Sequence, residues 1–239
     1  MRLKFRKIIL FFFIFSCLSI YSTAAIAKEN AFLSKLKGDV DVFKPGKTKG
    51  LEGKTGMPLL IRDKVKTTGK DSSADISFPN GDVVRIMPDS SLEIKESDFK
   101  KKTSSVLLKL YAGKIFNVIR KFRKGSKYQI ETNNAVAGVR GTIWSAETSE
   151  KGEDVFMVKE GKVAATNPEV APEKEIIVSD LKKTVVKADK PPTVPIPLTP
   201  EEIAMFDILE DILQDMKEDI KDEIKEGIAE DILEQQFNP

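Results

Sequence analysis

The chain has 239 residues, 41% of them hydrophobic and 32% charged, enough for one large globular domain or two small ones. Its formal net charge is only +2, and it contains no histidine and a single cysteine, Cys17. Within this chain those counts exclude a histidine-based triad, a histidine-ligated metal centre and an internal disulfide.

The first 27 residues read as a secretory signal peptide. Arg2, Lys4, Arg6 and Lys7 form a positive start, Ile8 to Ile14 an apolar run, and Ala25-Ile26-Ala27 a small-residue cleavage site before Lys28. An uncleaved anchor is the rival reading, but Ser16, Ser19, Ser22 and Thr23 dilute the apolar stretch. Ile14-Phe15-Ser16-Cys17 resembles a lipobox weakly, so a lipid anchor on Cys17 stands as the minor alternative to an h-region residue. The expected product is exported to the periplasm or cell envelope, has no stable membrane span after cleavage, and is stabilised by its core without a disulfide.

From Gly38 to Lys187 the sequence reads as short strands between turn signals. GDVDVF, LLIRDKVKT, ADISF, DVVRIM, SLEIK, SVLLKLY, KIFNVI, KYQIET, TIWSAE, DVFMVK and KVAAT alternate or form short apolar runs. Pro79-Asn80-Gly81, Pro88-Asp89-Ser90, Ala112-Gly113, Gly125-Ser126 and Glu160-Gly161 separate them, and Asn80-Gly81 is the clearest hairpin signal. Strands spaced this way predict an all-β sandwich or roll over residues 28–188. Residues 189–199, with Pro191, Pro192, Pro195 and Pro197, predict an extended linker acting as a semi-rigid spacer.

A helix is predicted over 200–236. Thr199 is its N-cap, Pro200 takes the first position, Glu202 completes a capping box, and Leu198 with Ile203 forms a hydrophobic staple. Ile208, Ile212, Met216, Ile220, Ile224, Ile228 and Ile232 recur every four residues, broadened by Leu209, Leu213 and Leu233. Such a stripe drifts around the helix and favours a right-handed wrap over a regular coiled coil. It seeks a cover: a second copy, the chain's own β-domain, or a different protein. Charge divides the chain in the same place. Residues 28–200 hold 32 Lys/Arg against 23 Asp/Glu, and residues 201–239 hold three against 14. The acidic polar face argues against membrane-surface binding.

The stretch Thr132 to Trp144, TNNAVAGVRGTIW, is the most informative. Ala135 and Ala137 are small, Gly138 and Gly141 bracket Val139-Arg140, and Thr142 leads to the only Trp, Trp144. Two glycines three apart in a strand-like run predict a corner where another backbone comes close. With Gly38-Asp39-Val40, Val65-Lys66-Thr67, Ser73 to Ile76, Asn80 to Ile86, Ser91 to Ile94, LKLYAGKIFNVI (Leu108 to Ile119) and Val155 to Val163, this stretch makes residues 38–166 resemble the FecR-like domain, an extracytoplasmic all-β module. Trp144 stands where the family more often has another aromatic such as Phe. The resemblance implies a fold and an extracytoplasmic interaction role. Regulators of that type also carry a cytoplasmic sigma-factor-binding segment and a transmembrane helix. Here 27 signal-like residues, a Pro-rich linker and an acidic helix stand instead, so the sigma-regulator role is not expected to transfer.

Each candidate residue has a structural alternative. Arg140 could fork onto a carboxylate or phosphate, but fixing the corner is the favoured role. Thr142 is read as a turn hydroxyl and Trp144 as a core plug. Arg120, Lys121, Arg123, Lys124 and Lys127, interleaved with Phe122 and Tyr128, form a basic cluster. On an exported chain it is first a solvated hairpin end, then a site for an anionic glycan, a lipid headgroup or the acidic tail; nucleic acid is not expected. Asp71, Asp75, Asp82 and Asp89 lie near turns without a recognised calcium spacing. The expected function is a non-catalytic, cofactor-free binding, sensing or scaffold module meeting a protein partner in the envelope or self-associating through the helix. An envelope polysaccharide module using residues 120–127 is the first alternative and a transmembrane signal regulator the second.

Overall fold

The computed structural model describes residues 31–218 apart from 101–102, 121–123, 140 and 150. The signal-peptide reading, Lys121, Arg123, Arg140, Ile220, Ile224, Ile228 and the helix beyond residue 218 lie outside the described residues.

Fifteen strands form one hydrogen-bonded network. They are β1 Ala31–Phe43, β2 Leu51–Glu52, β3 Pro58–Leu59, β4 Lys64–Ser77, β5 Val83–Ile86, β6 Ser91–Lys100, β7 Thr103–Val118, β8 Lys127–Glu131, β9 Val136–Val139, β10 Ile143–Thr148, β11 Glu153–Glu160, β12 Lys162–Thr166, β13 Ile176–Ser179, β14 Lys182–Lys187 and β15 Ile196–Pro197. The expected all-β fold is present, as a roll. Its logic rests on three long strands, β1, β4 and β7, each serving two sheets.

The C-terminal part of β1 and the N-terminal parts of β4 and β7 join β6, β8, β9, β12 and β13 in sheet A, where β7 and β8 run parallel. The other halves of the same three strands join β5, β10, β11, β14 and β15 in sheet B. Each long strand carries a left-handed glycine where it crosses over: Gly38 (φ 64°), Gly69 (φ 89°) and Gly113 (φ 83°). At Gly113 a Cβ would lie 2.1 Å from the Ser90 Oγ, and at Gly38 one would lie 2.9 Å from the Ser72 Cα. Both conformation and space therefore demand glycine there.

Between the sheets lies the main core, in which Leu33, Ile76, Ile86, Leu92, Leu108, Ile115, Ile130, Trp144 and Phe156 are buried. The period of two sets this up: along β7, Ile115 faces inward while Phe116 and Val118 face out from sheet B. SVLLKLY and KIFNVI, read as two strands, are one, because Gly113 bends the strand without ending it. LLIRDKVKT, read as one strand, is broken by a turn at Leu60–Asp63.

The Pro-rich segment extends as its prolines dictate but does not space the helix away. Ile196 and Pro197 pair with Lys183 and Lys182, the Thr193 amide donates to the Val185 carbonyl (2.9 Å), and the Leu198 amide donates to the Leu181 carbonyl (2.9 Å). The chain then enters a helical segment, α1, that is α-helical over Pro200–Ala204, 3-10 over Met205–Leu209 and α-helical again over 210–218. The Thr199 capping box is complete: Thr199 Oγ1 accepts from the Glu202 amide (3.2 Å) and Glu202 Oε2 from the Thr199 amide (3.0 Å).

Candidate functional site

Sheet B alternates apolar residues on both sides. Val83 and Met87, Phe116 and Val118, Ile143, and Val155 and Met157 point outward, away from the main core. This second apolar face is covered by α1. Phe206, Leu209 and Ile212 are buried against it with Leu198, and Ile203, Leu213 and Met216 close its edges. Phe206 meets Phe116 edge-on, with ring centroids 5.2 Å apart at 81°. Of the expected four-residue stripe, Ile212 and Met216 are used and Ile208 is exposed. The 3-10 turn resets the phase: at three residues per turn Phe206 and Leu209 lie on one side, and the following α turns add Ile212 and Met216.

Arg85, from β5, is a buried cation in this face. Its Nε and Nη2 grip the two oxygens of Asp75 (2.8 and 2.6 Å), and Nη1 and Nη2 grip those of Asp211 (3.0 and 2.9 Å). Nη1 also donates to the Ile208 carbonyl, and Lys35 Nζ lies 2.6 Å from Asp211. One planar fork thus clasps the sheet to the helix. The Arg85 hydrogen bonds hold the Asp211 carboxyl well below the usual carboxylate range. Lys183 pairs with Glu202 at the other end of α1.

Sheet A's outer face is the opposite case. Lys64 and Lys66 of β4 and Ser91 and Glu93 of β6 face out from it. With Phe43, Lys44, Pro45, Gly46, Lys47 and Arg62 they line an open groove of about 550 Å³. Lys44 is paired with Asp63 (2.6 Å), and Glu93 accepts from the Tyr111 hydroxyl (2.6 Å). Lys64 sits over the Tyr111 ring, 4.0 Å from its centroid. Among the described residues, no acidic side chain pairs with Lys47, Arg62 or Lys66. Sequence reading missed this groove because its residues come from three places and its Leu60–Asp63 turn carries no Gly, Pro or Asn.

The Thr132–Trp144 stretch holds the roll together. Asp154 is buried, and its carboxylate accepts from the hydroxyls of Thr132 (2.7 Å) and Thr148 (2.9 Å) and from the amide (2.8 Å) and Nδ2 (3.0 Å) of Asn134. Four donors satisfy a buried charge and tie the turn after β8 to the β10–β11 hairpin. Ala135 and Ala137 are buried, and Trp144 fills the core beside Phe156 with centroids 6.0 Å apart. The bend is at Gly141 (φ 66°); Gly138, expected to share it, lies in the β9 ladder opposite Gln129 and Ala164. The close backbone approach comes from Gly161, where a Cβ would meet the Gly141 carbonyl oxygen at 2.7 Å. Thr142 is buried, its hydroxyl 3.3 Å from the Lys162 carbonyl.

The expected basic cluster is divided. The half-buried Arg120 packs its guanidinium over Gly81, and its amide donates to the Asp82 carboxylate (2.8 Å); Lys124 and Lys127 are exposed. Burial pushes the Asp82 carboxyl up to about 7, against the hydrogen bonds from Arg120 and Asn80. The four aspartates do not gather: Asp75 holds Arg85 and Asp89 caps the Gly69 amide (2.8 Å). No three acidic or cysteine side chains converge as a metal set among the described residues.

A two-sheet roll joined by three shared strands, with its motif residues spent on backbone and core contacts, defines a scaffold with two outer faces. Residues 64–164 match the family described as FecR protein, so the chain carries a FecR domain over those residues. Two crystal structures of a candidate anti-sigma factor from Parabacteroides distasonis ATCC 8503, at 1.65 and 2.50 Å, are similar to it at 14% identity with a TM-score of 0.48. Each comparison covers 59% of this chain and 62% of that one, so the chain spans less than two thirds of the similar structure. No curated protein sequence matches the chain.

Proposed function

We propose that the protein is an exported, non-catalytic FecR-domain module that regulates or senses by binding a protein partner in the cell envelope, through the uncovered outer face of sheet A. The observation that carries this reading is the asymmetry of the two faces. The apolar face of sheet B is already occupied by α1, while sheet A leaves cations without acidic partners around an open groove. The polysaccharide reading loses support because Arg120 of the 120–127 cluster is engaged at the Gly81–Asp82 turn.

A photo-crosslinking residue placed at Lys66 and, separately, at Met157 tests it in intact cells. Position 66 is expected to give a discrete protein adduct, and position 157 to react only within the chain. The envelope-fraction protein is expected to begin at Lys28. Absence of any adduct from position 66, or a cytoplasmic protein retaining its first 27 residues, overturns the reading.

A further inference from the structure

The turn that ends β3 has an unusual occupant. The Asp63 amide donates to the Leu60 carbonyl (3.0 Å), which places Arg62 third in a four-residue turn with φ 71°. Glycine ordinarily fills that position, and a larger L-residue there costs about 1 kcal/mol or more. The turn is nonetheless firmly held. The Arg62 amide donates to the Ile94 carbonyl (2.7 Å), and the buried Asp63 carboxylate accepts from the Leu60 amide (2.8 Å) and Lys44 Nζ (2.6 Å). A strained conformation fixed by its surroundings displays the guanidinium at the rim of the groove, and stability alone gives no reason for arginine there.

Around it the chemistry is mixed. Lys47, Lys64 and Lys66 add positive charge, and the turn exposes Leu60 (52%) and Ile61 (50%) beside Arg62. A sugar needs an aromatic platform, but Lys64 roofs the Tyr111 ring and Lys109 Nζ lies 5.5 Å from its centroid. A bilayer is flat, whereas these cations line a concavity. An acidic polypeptide that also carries aliphatic side chains satisfies both the charges and the exposed Leu60 and Ile61.

We propose that this groove docks an acidic, aliphatic-bearing segment of a partner protein, with Arg62 as its anchoring residue. The inference rests on the protein-binding reading above and assigns its site and partner chemistry. It is tested with the purified chain and a fluorescent 20-residue amphipathic peptide of Glu and Leu, by anisotropy, with heparin and phosphatidylglycerol vesicles as the glycan and lipid probes. The peptide is expected to bind, more weakly as salt rises. Arg62→Gly is expected to lower peptide affinity about tenfold while the melting temperature holds or rises, because the strain is relieved. Lys66→Glu is expected to weaken binding similarly, and Ile61→Ser about threefold through lost apolar contact.

Peptide binding that survives both Arg62→Gly and Lys66→Glu overturns the proposal. So does Arg62-dependent binding of heparin or vesicles without binding of the peptide. If position 66 still captures a protein in cells while Arg62→Gly leaves peptide binding unchanged, the groove assignment falls and the broader reading stands.

Discussion

The outer faces of sheets A and B are built from the same alternating strands, and in β4 and β7 from the two halves of the same strand. On sheet B the outward positions are apolar, and the chain's own helix lies across them with Arg85 clasped between Asp75 and Asp211. On sheet A the outward positions are lysines, a tyrosine and a glutamate around a groove, and Lys47, Arg62 and Lys66 have no acidic partner among the described residues. A strand with apolar residues on both sides must find two covers, whereas one with polar residues outside needs only one. The division separates what stabilises this protein from what is free to meet another. Substitutions on the covered face should therefore act on folding, and those on the open face on association.

The sharpest way to break this comparison is to empty the contact under the helix. Leu209→Ala and Phe206→Ala are each expected to cost about 3 kcal/mol, because both side chains are buried at the helix–sheet contact. Urea unfolding measures this directly. A loss below about 1 kcal/mol would mean the helix does not fold with the roll, and sheet B would then count as an open face too.

Next comes the clasp. Arg85→Ala leaves Asp75 buried without its cation and is expected to cost about 3 kcal/mol. Arg85→Met fills the same space without restoring the charge, so it should remain well below wild type. If the two variants match wild type in urea, the ion cluster is ornamental and only apolar contact holds the helix.

Much of the roll was legible from residues. Period-two runs located β5, β8, β10, β11 and β12 closely, and Asn80-Gly81 marked the β4–β5 hairpin. The helix start was legible because capping is local chemistry, confined to Thr199–Glu202. Long-range geometry was not. Nothing local distinguishes Gly113, a corner within a strand, from a glycine that ends one. The seating of α1 depended on a 3-10 turn that tertiary contact imposes at Met205–Leu209. The clasp joins residues 126 positions apart, and the groove's turn puts arginine where glycine would have signalled it.

Acid separates the clasp from the rest of the molecule. Asp82, pushed up to about 7 by burial, destabilises the fold as it ionises. Its contribution is full below about pH 4 and is lost as pH rises through 7. Asp211 has the opposite sign. Its folded pKa lies below the unfolded value, so its contribution is present above about pH 4 and fades as pH falls further. No histidine titrates in the window between pH 6 and 8, because the chain contains none. Stability should rise by about 1 kcal/mol on going from pH 8 to 6, and Asp82→Asn should flatten that rise in urea unfolding. Below pH 4, hydrogen exchange should show residues 205–218 losing protection before the strands of sheet A. Simultaneous loss would contradict a helix held by its own acid-sensitive clasp.

The smallest expected effect tests the open face. Lys66 alternates outward from β4 as Asp75 does from the same strand, yet it is exposed and touches no acidic group among the described residues. Lys66→Ala should therefore change stability by no more than about 0.5 kcal/mol in either direction. Removing one of several neighbouring cations relieves repulsion and loses little packing, so the sign is expected to be neutral or slightly stabilising. Thermal melts at low and moderate salt distinguish these, because a repulsive origin shrinks as salt screens it. A loss greater than about 1 kcal/mol would show that Lys66 supports the fold, and the lysine rows of sheet A would then need a structural explanation in place of an associative one.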